Sequence, residues 1–244
     1  MKKSTTVQAM KSMDKTIGEI VADDYRTARV FDQHGIDFCC GGKVSLAATC
    51  KEKKIDFAEI ADELEAVKKE PPERAQNYAS WELPFLADYI INVHHFYLKE
   101  NTSQVSEYAR KIAVVHGALH PEVKEISKIF DKVASDLTTH MLEGEEAMLF
   151  PAIKRAAGTK KAGSTPDPKD RETIKNSVIH LTHEHVEIGD AIHAIRHLSK
   201  DYAIPSDVCN TFVVTYQKLK EFEEDLHKHV HLENNVLFPK ATQL

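Results

Sequence analysis

From Trp81 onward, apolar residues recur every three or four positions, the spacing that lays one stripe along one face of an α-helix. The pattern predicts four long amphipathic segments, over about 82–115, 121–156, 171–200 and 206–238. Turn-forming stretches separate them: HGALHPE, a loop around 157–170 rich in Gly, Pro, Ser, Thr and Lys, and DYAIPSD. The loop carries no phosphate-binding pattern and reads as a solvated crossover. No segment reads convincingly as a strand. Four helices with short connections predict an all-α fold, an antiparallel four-helix bundle.

A smaller helical unit precedes the bundle. TIGEIVADDYRTARVFDQHG has helical spacing and a glycine stop, IDFCCGGK is a turn, and SLAATCKEKK and DFAEIADELEAVKK supply two more short helices, the last with Asp56 as N-cap. KKEPPERAQNYAS then breaks the pattern with two prolines. The expected organisation is a small CCGG-containing domain over 1–70, a linker over 71–80 and the bundle over 81–244.

The stripes contain polar residues. On the last helix Phe222, Leu226, His229, Glu233 and Val236 step by four and three, so His229 and Glu233 face inward, while His227 and His231 point toward solvent. The third helix gives Ile174, Val178, Leu181, His185, Ile188, Ile192 and Ile195, leaving His180, His183, His193 and His197 outside the stripe. The second gives Ile126, Phe130, Val133, Leu137 and His140, and the first Ile91, His95, Leu98, Val105, Ala109 and Ile112. A lone histidine on an apolar face is usually a satisfied core residue. Four of them, one per helix, are a different matter if they share a level. The midpoint of residues 95 and 140 falls inside the first turn, and that of 185 and 229 just after AIP. Antiparallel hairpins hinged there put His95 level with His140, and His185 level with His229.

The chain also repeats a phrase: HMLEGEEAMLFPAIK at 140–154 and HVHLENNVLFPKA at 229–241. Glu145 stands six residues before Pro151, and Glu233 six before Pro239. His229 and Glu233 are i,i+4 and share a face. His140 and Glu145 are five apart, which in a straight helix turns Glu145 about 140° away. A π-bulge around Gly144 would absorb the extra residue. The rivals for the carboxylate role are Glu143 and Glu146. Four imidazoles and two carboxylates suit a pair of transition metals, because a buried carboxylate is costly unless paired or metal-bound. A buried polar network and a structural zinc site are the plainer alternatives.

Composition narrows the rest. The net charge of −6 shows no basic excess for nucleic acid, and no apolar run approaches the roughly 18–20 residues that span a bilayer. The lysines of MKKSTTVQAMKSMDK precede no apolar signal segment, so a cytoplasmic location is expected. Of the four cysteines, Cys39 and Cys40 are adjacent and followed by Gly41-Gly42, which permit unusual backbone angles and close approach. A neighbouring helix N-terminus would lower a thiol pKa there. A tight turn with one buried thiol and a reactive pair are both open readings; Cys50 and Cys209 read as core residues.

The histidine–glutamate pattern resembles the hemerythrin-like domains. GIDFCCGGK ahead of it, with VVHGALHPE and HLENNVLFP, resembles the iron–sulfur cluster repair di-iron proteins of the RIC family, ScdA type, over about 16–240. The resemblance implies a cytoplasmic non-haem protein with two iron ions, oxo- or hydroxo-bridged. It carries the metal-ligand histidines onto His95, His140, His185 and His229 and the bridging glutamates onto Glu145 and Glu233. Damaged iron–sulfur proteins are the implied partners, NO and O2 the implied diatomic ligands, and a homodimer is compatible with it. Cys39 and Cys40 are implied as redox, metal-transfer or docking thiols. The family also has a histidine where His116 stands, but the hairpin places it at the turn, roughly 30 Å from the histidine layer. An O2- or NO-binding sensor and an NO or peroxide reductase are the competing functions.

Overall fold

In a computed structural model the described residues are 15–69 and 77–244. The amino-terminal peptide and most of the expected linker, residues 71–76, lie outside them. Among the described residues there is no strand, only an isolated bridge between Thr16 and Ser45. The chain divides into two units: residues up to Glu82 together with Val230–Pro239, and Leu83–His229 together with Lys240–Leu244.

In the first unit, α1 (Ile17–Asp23) starts at a capping box in which Thr16 and Glu19 satisfy each other's backbone N–H. The expected continuous helix breaks at Asp24, which is extended (φ −152°) and caps a 3₁₀ turn, Tyr25–Thr27, before α2 (Ala28–Gln33). Gly35 (φ +60°) ends it. Ser45 caps α3 (Leu46–Lys53), and the Asp56 carboxylate accepts the N–H of Ala58 at the start of α4 (Phe57–Lys69). Ile17, Val21, Phe31, Leu46 and Ile60 are buried between these helices.

The CCGG turn lies against the last helix's Val230–Pro239 segment. The Asn235 amide donates to the carbonyl of Phe38 at 3.2 Å, and a Cβ on Gly18 would stand 2.1 Å from its Oδ1. Gly42 has no left-handed backbone angle; it is glycine because a Cβ there would lie 2.6 Å from the Phe38 carbonyl and 3.1 Å from Gly18 Cα. Gly42→Ala should therefore destabilise this unit by about 1–3 kcal/mol. Trp81, the single tryptophan, stacks edge-on to Tyr78 at 4.9 Å and reports the transition in urea by fluorescence. An unchanged midpoint would show that the turn has room to spare.

The second unit holds the long helices. α5 runs through Leu83–Tyr89, a π segment Ile90–His95, and Phe96–His116. α6 runs through Glu122–Thr139, a π segment His140–Leu149, and Phe150–Lys161. α7 is unbroken α-helix, Pro168–Leu198. α8 runs through Asn210–His231, a π segment Leu232–Leu237, and Phe238–Ala241, with its Val230–Pro239 stretch grouping with the first unit. Cross-helix pairs fix the directions. Asp88–Lys154 and Arg110–Asp131 tie opposite ends of α5 and α6, and His140–Glu184 and Arg155–Asp170 do so for α6 and α7. Neighbours are antiparallel, around a core that includes Phe130 and Phe222 in edge contact at 5.0 Å.

Three local expectations need correction. The crossover loop is shorter than 157–170, because α6 continues through Gly158 to Lys161 and stops only at Gly163 (φ +76°), and Pro168 at the first turn of α7 starts the next helix early. On α5 the buried residue is Ile90, not Ile91, because the π segment inserts one residue between Ile90 and His95. Cys209 is not a core residue: it is exposed just before α8, with its Sγ 3.1 Å from His116 Nε2, and that hydrogen bond pulls its pKa down to about 7.

Candidate metal centre

The repeated phrase has a backbone meaning. Proline lacks the N–H that an α-helix would donate four residues back, and its ring crowds that carbonyl. In both copies the turn ahead of the proline is π. The Phe150 N–H donates to the Glu145 carbonyl, and the Phe238 N–H donates to the Glu233 carbonyl, each an i→i+5 bond. Both carboxylate residues thus occupy the same place in the same widened turn. The π segment from His140 to Leu149 takes up the odd five-residue spacing. Gly144 makes room for it: a Cβ there would come within 2.8 Å of Leu181 Cδ2.

The result is a closed polar layer. His95, Glu145, His229 and Glu233 are each fully buried, and His140 and His185 nearly so. Opposing imidazoles meet in two pairs, His95 Nε2 with His229 Nε2 at 3.2 Å and His140 Nε2 with His185 Nε2 at 2.9 Å. Glu145 spans the pairs. Its Oε1 lies 3.1 Å from His140 Nε2 and 3.9 Å from His185 Nε2, and its Oε2 lies 3.1 Å from His95 Nε2. Glu233, one turn beyond His229 on α8, completes two groups of four, His95–Glu145–His229–Glu233 and His140–Glu145–His185–Glu233, each with its ligand atoms within 4.8 Å of one another. The rivals stand elsewhere. Glu143 is exposed, and Glu146 accepts from His95 Nδ1 and from Lys99, both at 2.7 Å.

Outer carboxylates set the tautomers. His140 Nδ1 donates to Glu184 at 2.7 Å and His95 Nδ1 donates to Glu146, so each ring turns its Nε2 lone pair inward. Those lone pairs face a carboxylate that has only lone pairs. Acceptors at 3.1 Å from each other need positive charge between them. Burial alone would push the Glu145 carboxyl up, but positive charge at the His140 and His95 Nε2 positions holds it well below the ordinary range. This donor set, four imidazole nitrogens and two shared carboxylates, fits two transition-metal cations.

Stripe reasoning overlooked part of the surroundings. His94 is buried, stacks parallel on His229 at 6.0 Å and meets Asp225 through Nδ1 at 2.9 Å. The π segment on α5 brings both His94 and His95 inside, which a straight helix would not. His231 is also buried rather than solvent-facing, with Nδ1 3.1 Å from the Asn235 amide and its ring against Tyr25 and Phe38. The adjacency of Glu184 to His185 in HEH was the available signal for the outer carboxylate. His116 is in neither group of four.

Cys39 and Cys40 belong to the first unit. Asp37 accepts the N–H groups of Cys39, Cys40 and Gly41 at 2.8, 3.0 and 2.9 Å. The expected thiolate-favouring backbone donors are therefore spent on a carboxylate. The Cys39 thiol donates to Asp37 at 3.2 Å and lies 3.7 Å from Cys40 Sγ. The Cys40 contact first, then burial and the Asp37 charge, push Cys39 well above the usual thiol value. Cys39 is a protected thiol; Cys40 is half-buried.

Comparison with known proteins agrees with this geometry. Residues 86–241 match the family described as the hemerythrin HHE cation binding domain, and residues 13–68 match an amino-terminal ScdA domain of unknown function, DUF542. The chain is 31% identical to the iron-sulfur cluster repair protein ScdA of Staphylococcus haemolyticus, over 95% of this chain and 99% of the relative. It is 30% identical to the iron-sulfur cluster repair protein YtfE of Escherichia coli, over 95% and 98%. The chain belongs to the hemerythrin HHE cation-binding family and, along nearly its whole length, to the group of the ScdA and YtfE proteins.

Proposed function

We propose that this chain is a non-haem di-iron protein of the cytoplasm that restores iron–sulfur clusters damaged by nitrosative or oxidative stress. The observation that carries the metal count is Glu145, whose two oxygens address two different histidine pairs. His95 and His229 would hold one iron and His140 and His185 the other, with Glu145 and Glu233 belonging to both ligand groups. The pair, when bound, supplies iron that can be donated and open positions for a diatomic ligand such as NO or O2. The chain's own part is to hold His95 and His140 in one tautomer, place two carboxylates inside the bundle and exclude bulk water. The repair role rests on the names borne by the ScdA and YtfE relatives, which match along both halves of the chain. Damaged iron–sulfur proteins are the partners in this reading. A plain oxygen carrier would have no need of the CCGG unit, which we assign to residues 1–70, joined through 71–80 to the bundle at 81–244.

Iron-loaded protein should restore activity to an iron–sulfur dehydratase inactivated by NO, and Cys40→Ser should slow the repair with iron content unchanged. Protein that carries two irons and restores nothing would leave the metal assignment standing and overturn the repair role. The outer carboxylates give a finer test. Glu184→Ala and Glu146→Ala should each weaken iron binding about 10–100-fold while saturating iron still fills the site, because they orient a ligand without being one. Iron titration followed by near-ultraviolet absorption checks this.

A further inference from the structure

A second histidine–carboxylate cluster lies in the α7–α8 contact, outside the polar layer. Glu223 is fully buried. His227, four residues on, stands on the same face of α8 with its side chain 12% exposed, and its Nε2 is 3.7 Å from Glu223 Oε1. His193 reaches in from α7, and its ring meets that of His227 edge-on with centroids 5.7 Å apart. One ligand atom from each of the three lies within 4.8 Å of the others. His193 is eight residues beyond His185, about 12 Å along α7. His227 and His229 point to opposite sides of α8, being two residues apart.

We propose that His193, Glu223 and His227 form a separate mononuclear site for a divalent first-row cation, two imidazoles and one carboxylate, of the type that holds Zn2+ or Fe2+ with open positions left for solvent. The spacing fits. Two ligand atoms about 2.0–2.1 Å from one tetrahedral cation stand about 3.3–3.4 Å apart, and the 3.7 Å between His227 and Glu223 closes to that with a small ring movement. The carboxylate is held for the purpose. Arg196 Nε donates to both oxygens, at 2.9 and 3.0 Å, and the Tyr202 hydroxyl donates to Oε2 at 2.8 Å. Tyr202 and Arg196 fix the carboxylate plane, and Oε1 keeps a lone pair on the His227 side. Burial still pushes the Glu223 carboxyl up despite Arg196, so the buried charge is incompletely compensated by these two donors. A cation between the two imidazoles would supply the remainder.

Cobalt is the probe, since Co2+ in a low-coordinate nitrogen–oxygen site absorbs in the visible. The full chain is first loaded with two equivalents of iron, enough for the polar layer alone, and then titrated with Co2+. One further equivalent is expected, with visible d–d bands and no loss of near-ultraviolet iron absorption. His193→Gln, at a half-buried position that the core does not need, should weaken this Co2+ at least about tenfold, and His193→Gln with His227→Gln should abolish it, both with iron unchanged. No additional equivalent in the iron-loaded wild type, or the same Co2+ affinity in wild type and double variant, would overturn the site. Loss of iron from the wild type as Co2+ enters would show displacement at the polar layer and would count against a separate site. The iron absorption is recorded throughout, so failure here is distinguishable from failure of the di-iron reading.

Discussion

Glu145→Ala should leave the protein unable to hold its iron pair, with affinity lowered at least about 100-fold, while Glu143→Ala binds iron as the wild type does. Glu145 gives one oxygen to each histidine pair, so under the proposed di-iron arrangement its loss would remove a ligand from both metals at once. Glu143 is exposed on the same π segment and faces away from the layer. A purely structural role for Glu145 predicts a different pattern. A buried carboxylate costs free energy unless it is compensated, so the metal-free Glu145→Ala protein should be no less stable than metal-free wild type. Iron content by elemental analysis and thermal unfolding with and without chelator together separate the two. Equal iron in Glu145→Ala and wild type would show that the carboxylate is a core residue only.

Removing iron from the wild type should lower its melting temperature sharply. A ligand at a thousand times its Kd contributes about 4 kcal/mol to the folded state. For a chain of this size each kcal/mol corresponds to roughly 2–4 °C, so chelation should shift the transition down by roughly 8–16 °C. The physical origin is the layer itself. Without cations, the inward nitrogens of four imidazoles and the oxygens of two buried carboxylates crowd one another. Re-addition of Fe2+ should restore the transition. A melting temperature indifferent to chelation would show that protons satisfy the layer and that the site is a polar network.

The bundle and its connections were legible because helical periodicity survives over long segments, and the midpoint argument put His95 level with His140 and His185 level with His229. The register inside the helices was harder. The distortion around Gly144 could be inferred, because HMLEGEEAMLFP and HVHLENNVLFP match at Leu-Phe-Pro and disagree by one residue at the first histidine. The π segments at Ile90–His95 and Leu232–Leu237 leave no such mismatch to count. Straight-helix arithmetic therefore buried Ile91 instead of Ile90, passed over His94 and sent His231 to solvent. His231 also shows a limit of single-helix reasoning, since what buries it is Tyr25 and Phe38, remote in sequence. The cysteine turn carries a local feature that its two open readings did not weigh. Asp37, two residues ahead of the pair, takes the backbone donors that would have stabilised a thiolate.

X-ray absorption on the intact, iron-loaded protein tests the central claim most directly. The shared carboxylates predict two irons per chain, nitrogen and oxygen ligands only, and an iron–iron vector at roughly 3.5–4 Å that vanishes in Glu145→Ala. A single iron per chain with no metal–metal vector would contradict it.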